Sequence, residues 1–186
     1  MCIRDSVLTS QQVGPKILWL KNNRPEIYSK TAKIVNGTGF INFKLTGRYT
    51  TDHFSAAFVS PLYDINKQAW SNELNDGIID IEKLADLVWT NEIIGKITNT
   101  ASNETGLVEG TIVTSGTIDA AAEAISVGVI GTGDMMMMYG STMFYILVTD
   151  KVLSDKRLWY SPWLFKGEHS SMGGLATSGT LTHWFK

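Results

Sequence analysis

The sequence predicts an α/β fold, and three patterns lead there. Gly110-Thr-Ile-Val-Thr-Ser115 is a β-branched run that turns at Gly116-Thr-Ile118 and continues into the alanine-rich stretch Asp119 to Val129, a strand, turn and helix in sequence. Asp134 to Tyr139 and Met143 to Val148 flank Gly140-Ser141-Thr142, the pattern of two buried strands around a tight turn. Ahead of both, Pro25 to Gly110 reads as short amphipathic helices joined by polar turns.

Taken in order, Glu26 to Val35 places Ile27, Ala32, Ile34 and Val35 as its apolar positions, and Phe40 to Leu45 alternates before a turn at Thr46-Gly47. Trp70 to Leu74 and Ile81 to Trp89 read as two further helices, the second with Ile81, Leu84, Ala85 and Val88 at i, i+3, i+4 and i+7. After the hairpin, Leu158 to Phe165 is expected as a third strand. A polar Gly/Ser/Met stretch then leads to a helix opening near Ser178.

Composition removes several function classes. Sixteen Lys+Arg against eighteen Asp+Glu leave a formal charge of −2, and no basic run is present, so a nucleic-acid partner is not expected. The longest apolar candidate, Ile125 to Tyr145, is interrupted by Gly128, Gly131, Gly133 and Asp134, so no membrane partner is expected either. A single cysteine, Cys2, cannot close an intrachain disulfide, which fits a cytoplasmic setting. Met1 to Ser6 lacks the features of a signal peptide and resembles a translated adapter, and the chain reads as cut at both ends.

Few residues carry chemistry. Asp119 follows a strand and opens a helix, where a carboxylate can act as a general base, although an Asp there is also an ordinary helix cap. Gly140, Ser141 and Thr142 offer backbone N–H groups and two hydroxyls suited to a phosphate, although a hairpin turn needs the same glycine. Ser178 and Gly179 open a helix whose free N–H groups favour an anion. The run Met135 to Met138 is expected to pack in the core as a strand covered on both faces. His53, His169 and His183 are too scattered for zinc, and no metal ligand is assigned.

The order of several short motifs resembles the FGGY family of carbohydrate kinases. Pro15-Lys16-Ile17-Leu18-Trp19 followed by Pro25-Glu26-Ile27 is similar to that family's Pro-Lys-x-x-Trp segment and the helix after it. Leu45-Thr46-Gly47, Thr51-Asp52 with Ser55-Ala56, and Trp70-Ser71 resemble the next landmarks, then Gly116-Thr117-Ile118-Asp119 the Gly-x-x-Asp motif and Tyr139-Gly140-Ser141-Thr142 the second phosphate turn.

The resemblance implies an actin-like ATPase (ribonuclease H-like) fold, present in part and spanning the junction of two domains. Residues 7–130 would be the C-terminal part of the first, sugar-binding domain, and 131–186 the start of the second, nucleotide-binding domain. The implied reaction is ATP-dependent phosphorylation of a sugar hydroxyl with Mg2+. D-xylulose is favoured by likeness, and another pentulose or polyol, as in the ribulokinases, is the alternative. Asp119 would be the base and a sugar-binding residue, and Gly140, Ser141, Thr142, Ser178 and Gly179 would bind ATP. A homodimer of the full-length parent is left open. Ala120 stands where many members carry Asn, and Gly-Ser-Thr where Gly-Thr-Ser is common. The segment by itself is expected to be inactive. The rivals are an actin-like module that binds nucleotide without catalysis, and a structural α/β domain in which Asp119 only caps and Gly140 only turns.

Overall fold

The computed structural model describes residues 12–153, 155 and 157–186, so the expectation for Met1 to Ser6 lies outside the described residues. The chain forms two compact units, Met1–Ile118 and Asp119–Lys186.

In the first unit, α1 (Val13–Asn23) and α2 (Pro25–Lys30) contribute Ile17 and Tyr28 to a small core completed by Leu62, Ile78, Ile79 and Leu84. Pro25 at the first position starts α2 with its φ already set for a helix. The helix stops at Lys30, well short of the expected Val35, and Ile34 instead bridges Leu84 in parallel. The alternating run at Phe40 is helical: α3 covers Gly37–Thr46. Its ends explain why. The Asn36 side chain accepts from the Gly39 N–H at 2.7 Å, and Gly47, at φ 78°, closes the last turn in the left-handed conformation.

Strand β1 (Thr50–Asp52) runs straight into α4 (His53–Ala56). It pairs in parallel with β4 (Asp86–Val88). The helix expected over Ile81 to Trp89 is therefore a single 3₁₀ turn, Ile81–Lys83, followed by that strand. The i, i+3, i+4 spacing of its apolar residues arises from a turn and a strand that both face the core. Between them, β2 (Tyr63–Asp64) and β3 (Ala69–Trp70) form a short hairpin, so Trp70 is in a strand. Ser71 then caps α5 (Asn72–Asn75), its hydroxyl accepting from the Leu74 N–H. Strands β5 (Ile93–Lys96) and β6 (Ile112–Thr114) pair antiparallel around α6 (Asn99–Thr105), and β6 is the strand expected over Gly110 to Ser115.

In the second unit α7 spans Asp119–Ser126, shorter than the expected reach to Val129, and buries Ala121 and Ala124. Strands β7 (Met135–Tyr139), β8 (Met143–Thr149), β9 (Trp159–Pro162) and β10 (His169–Leu175) form an antiparallel sheet in the order β7-β8-β10-β9. The hairpin and the third strand match expectation, but β10 does not. Its polar composition hides a strand whose Ser170 hydroxyl bonds Ser161 across the ladder at 2.8 Å. Its Gly173 sits so close under Tyr145 that a Cβ there would lie 2.7 Å from the ring. The methionine run is also corrected: β7 is an edge strand, and only Met136 is buried, while Met135, Met137 and Met138 are exposed. Helix α8 (Gly179–Trp184) opens after Ser178.

Candidate functional site

Asp119 is exposed and lies in the first turn of α7. Its Oδ1 accepts the N–H of the next residue, Ala120, at 2.8 Å. A carboxylate at this end of a helix meets the positive side of the backbone dipoles, and a free edge of the group remains open to solvent. Among the described residues no ion pair or further hydrogen bond engages it.

The backbone that leads to Asp119 is held at three consecutive residues. The Ser115 carbonyl accepts from the Asn42 amide at 2.9 Å, and the Ser115 N–H donates to the Glu92 carbonyl at 3.1 Å. Gly116, at φ 66°, donates its N–H to the Thr90 carbonyl at 3.1 Å, a turn that a side chain would strain. Thr117 donates its hydroxyl to Asp52 at 3.0 Å, and its carbonyl accepts from the Thr38 hydroxyl at 3.2 Å.

Asp52 is the residue the sequence reading left without a role. Its carboxylate is buried, 1% exposed, at the junction of β1 and α4. It accepts from the Ser55 N–H at 3.3 Å, from the Ser55 hydroxyl, from Thr117 and, at 3.4 Å, from the Thr90 hydroxyl. Burial pushes its carboxyl above the usual carboxylate range, and the hydrogen bonds from Ser55 and Thr117 pull the other way. Beside it, His53 is buried and packs against the Tyr63 and Trp89 rings. Its Nδ1 shares a 2.8 Å hydrogen bond with the Tyr63 hydroxyl, and its ring lies 4.4 Å from that of Trp89. Desolvation lowers the His53 pKa, opposed by the charge of Glu92, and burial raises that of Tyr63.

The other candidate residues fall into one cluster within the second unit. Gly140, Ser141 and Thr142 form the exposed turn between β7 and β8, and the start of α8 docks directly on it. The Ser178 N–H donates to the Ser141 carbonyl at 2.8 Å and the Gly179 N–H to the Gly140 carbonyl at 2.9 Å, while the Thr180 hydroxyl reaches the Ser141 carbonyl at 3.2 Å. A Cβ on Gly179 would lie 2.6 Å from the Gly140 oxygen, so only glycine permits this approach. The two backbone N–H groups expected to be free at this helix start are therefore engaged by the turn. Ser141 and Thr142 keep their hydroxyls at an exposed surface.

The model of the N-terminal domain of the FGGY family of carbohydrate kinases matches residues 3–126. The xylulose kinase of Lactococcus lactis subsp. lactis (strain IL1403) is 30% identical over 174 residues, 92% of this chain and 34% of that protein. The autoinducer-2 kinase of Enterobacter sp. (strain 638) is 25% identical over 175 residues, 92% of this chain and 33% of that protein. Among solved structures, the xylulose kinase from Rhodospirillum rubrum superposes with a TM-score of 0.89 at 25% identity, covering 97% of this chain and 37% of that one. The chain thus spans about a third of the length of the relatives it matches. Its architecture is a part of the actin-like ATPase fold, and the chain belongs to the FGGY family of carbohydrate kinases.

Proposed function

We propose that the protein to which this chain belongs transfers the γ-phosphoryl group of ATP to a hydroxyl of a sugar, and that the sugar is D-xylulose. The observation that carries this reading is the exposed Asp119 carboxylate in the first turn of α7, behind a loop anchored at three consecutive residues. A sugar hydroxyl beside Asp119 gives its proton to the carboxylate as its oxygen bonds to the γ-phosphorus. The bond from that phosphorus to the β–γ bridging oxygen breaks, and ADP leaves with the electron pair. The transition state of such a transfer is loose, so the base contributes chiefly by aligning the nucleophile.

The exposed turn at Gly140, Ser141 and Thr142 supplies hydroxyl donors for the phosphate chain, with Ser178 and Gly179 bracing it from behind. On this reading Asp119 and the turn border one cleft. Mg2+ neutralises phosphate charge in reactions of this class. Among the described residues no three His, Cys, Asp or Glu side chains gather as a metal site, so no step is assigned to the ion. The choice of D-xylulose is supported by the likeness to xylulose kinases.

The test is sugar-dependent ADP release by the full-length protein, with D-xylulose, D-ribulose and glycerol compared by kcat/KM. D-xylulose is expected to give the highest value. ADP release that ignores every sugar would remove the kinase reading, and a higher value for another acceptor would remove D-xylulose alone.

A further inference from the structure

The buried Asp52 carboxylate gathers donors from three separate stretches of chain: Ser55 at the start of α4, Thr90 after β4, and Thr117 in the loop before α7. An ionised carboxylate, acceptor-only with about four lone-pair sites, is the side chain suited to collecting that many donors. Capping a four-residue helix requires much less, since a serine or threonine does that work without burying a charge. Among the described residues no cation pairs with Asp52, so its burial costs stability that a neutral cap would not. What the carboxylate adds over a neutral cap are the bonds from Thr90 and Thr117, the latter two residues before Asp119. The Thr117 bond does not act alone, because Thr38 holds the carbonyl of the same residue and Asn42 the carbonyl of Ser115. The backbone is therefore gripped from α3, from β1 and from the segment after β4 immediately before it delivers Asp119.

We propose that Asp52, acting through the Thr117 hydroxyl, is a positioning residue that fixes the backbone leading to Asp119 and thereby sets where the base carboxylate stands. This rests on Asp119 being the base. A displacement of about 1 Å in a reacting group can cost about a hundredfold in rate, so a hydrogen bond two residues away matters to turnover even though neither partner touches substrate.

The experiment uses Thr117→Val, which removes the hydroxyl and keeps the shape, Thr117→Ser, which restores it, and Asp52→Asn, all in the full-length protein. Thr117→Val is expected to lower kcat by about tenfold or more, with KM for ATP and sugar within about twofold of wild type, and Thr117→Ser to recover most of the rate. Asp52→Asn is expected to follow Thr117→Val where it folds, and the threonine pair carries the test where it does not. Hydrogen exchange over residues 114–120 is expected to quicken in Thr117→Val and to return to wild type in Thr117→Ser. An unchanged kcat in Thr117→Val, a Thr117→Ser variant as slow as Thr117→Val, or unchanged exchange in Thr117→Val overturns the proposal. If the wild-type protein shows no sugar-dependent ADP release, the kinase reading fails and with it the role of Asp119. Exchange then separates the two failures by deciding whether the Asp52–Thr117 bond holds the loop.

Discussion

Gly179 lies against Gly140 so closely that its N–H donates to the Gly140 carbonyl at 2.9 Å and a methyl group on its Cα would sit 2.6 Å from that same oxygen. The contact couples the turn between β7 and β8 to the first residue of α8. The obstacle is backbone, which cannot swing aside as a flexible side chain would. Gly179→Ala is expected to destabilise the docked helix by about 1–3 kcal/mol, the usual cost of forcing extra volume into a filled contact. Urea unfolding of the chain measures it, and a loss indistinguishable from zero would mean that α8 does not depend on this approach.

Asp119→Asn keeps the size of the side chain and removes its ability to take a proton. In the full-length protein it is expected to lower kcat by about 10²- to 10⁴-fold, the range of a general base, while nucleotide affinity stays within about twofold. Steady-state kinetics alongside calorimetric titration with a nucleotide analogue separate the two quantities. Turnover equal to wild type would assign the proton to another group.

His53 makes stability depend on pH with a definite sign. Its pKa in the folded chain is depressed by desolvation, the charge of Glu92 opposing. Below the ordinary histidine value of about 6.5 the unfolded chain takes up a proton that the folded chain resists, so stability is full above that value and is lost as pH falls through the folded pKa. The slope from one such group is at most about 1.4 kcal/mol per pH unit. Asp52 acts with the opposite sign. Its raised pKa means that stability declines as pH climbs from the unfolded value of about 3.9 to the folded one. His169 is also lowered, by burial first, and contributes in the same direction as His53. Comparing urea midpoints at pH 7 and pH 5.5 for wild type and His53→Gln isolates the His53 share. The variant is expected to be less sensitive to acid, and an equal drop in both would assign the effect elsewhere.

Core and surface diverge sharply along the first unit. Leu62 is 0% exposed in the core with Ile17, Tyr28 and Ile79, whereas Phe40 on α3 is 52% exposed. Leu62→Ala is expected to cost about 2–5 kcal/mol, and Phe40→Ala less than about 0.5 kcal/mol. Denaturant unfolding of the two variants ranks them, and a reversed order would contradict the core assignment.

Motif order was the most legible property of this sequence, because Gly-x-x-Asp and the Gly-Ser-Thr turn are local patterns that do not need a tertiary partner to be read. The hairpin at Gly140 and the helix start at Asp119 were legible for the same reason. Ile81 to Trp89 misled because a 3₁₀ turn followed by a parallel strand reproduces helical spacing when both bury the same side. Strand β10 was hidden by serines and glycines, residues depleted in strands, and only Tyr145 lying over Gly173 and Ser161 bonding Ser170 explain them. The edge position of β7, which exposes its methionines, depends on strand order, and strand order is not written in any one strand. The Asp52 cluster joins residues up to 65 positions apart, so its only trace in the sequence was the Thr-Asp pair itself.

The Ser178 and Gly179 amides are already committed to the neighbouring hairpin, so those two peptide dipoles have little left to offer a negatively charged visitor. On the proposed function, the grip on phosphate passes to the freely rotating alcohol groups of Ser141 and Thr142, which can re-aim when their neighbours change. A hold of that kind is indifferent to whether serine precedes threonine or follows it, and the reversed Ser141-Thr142 order is then a harmless spelling.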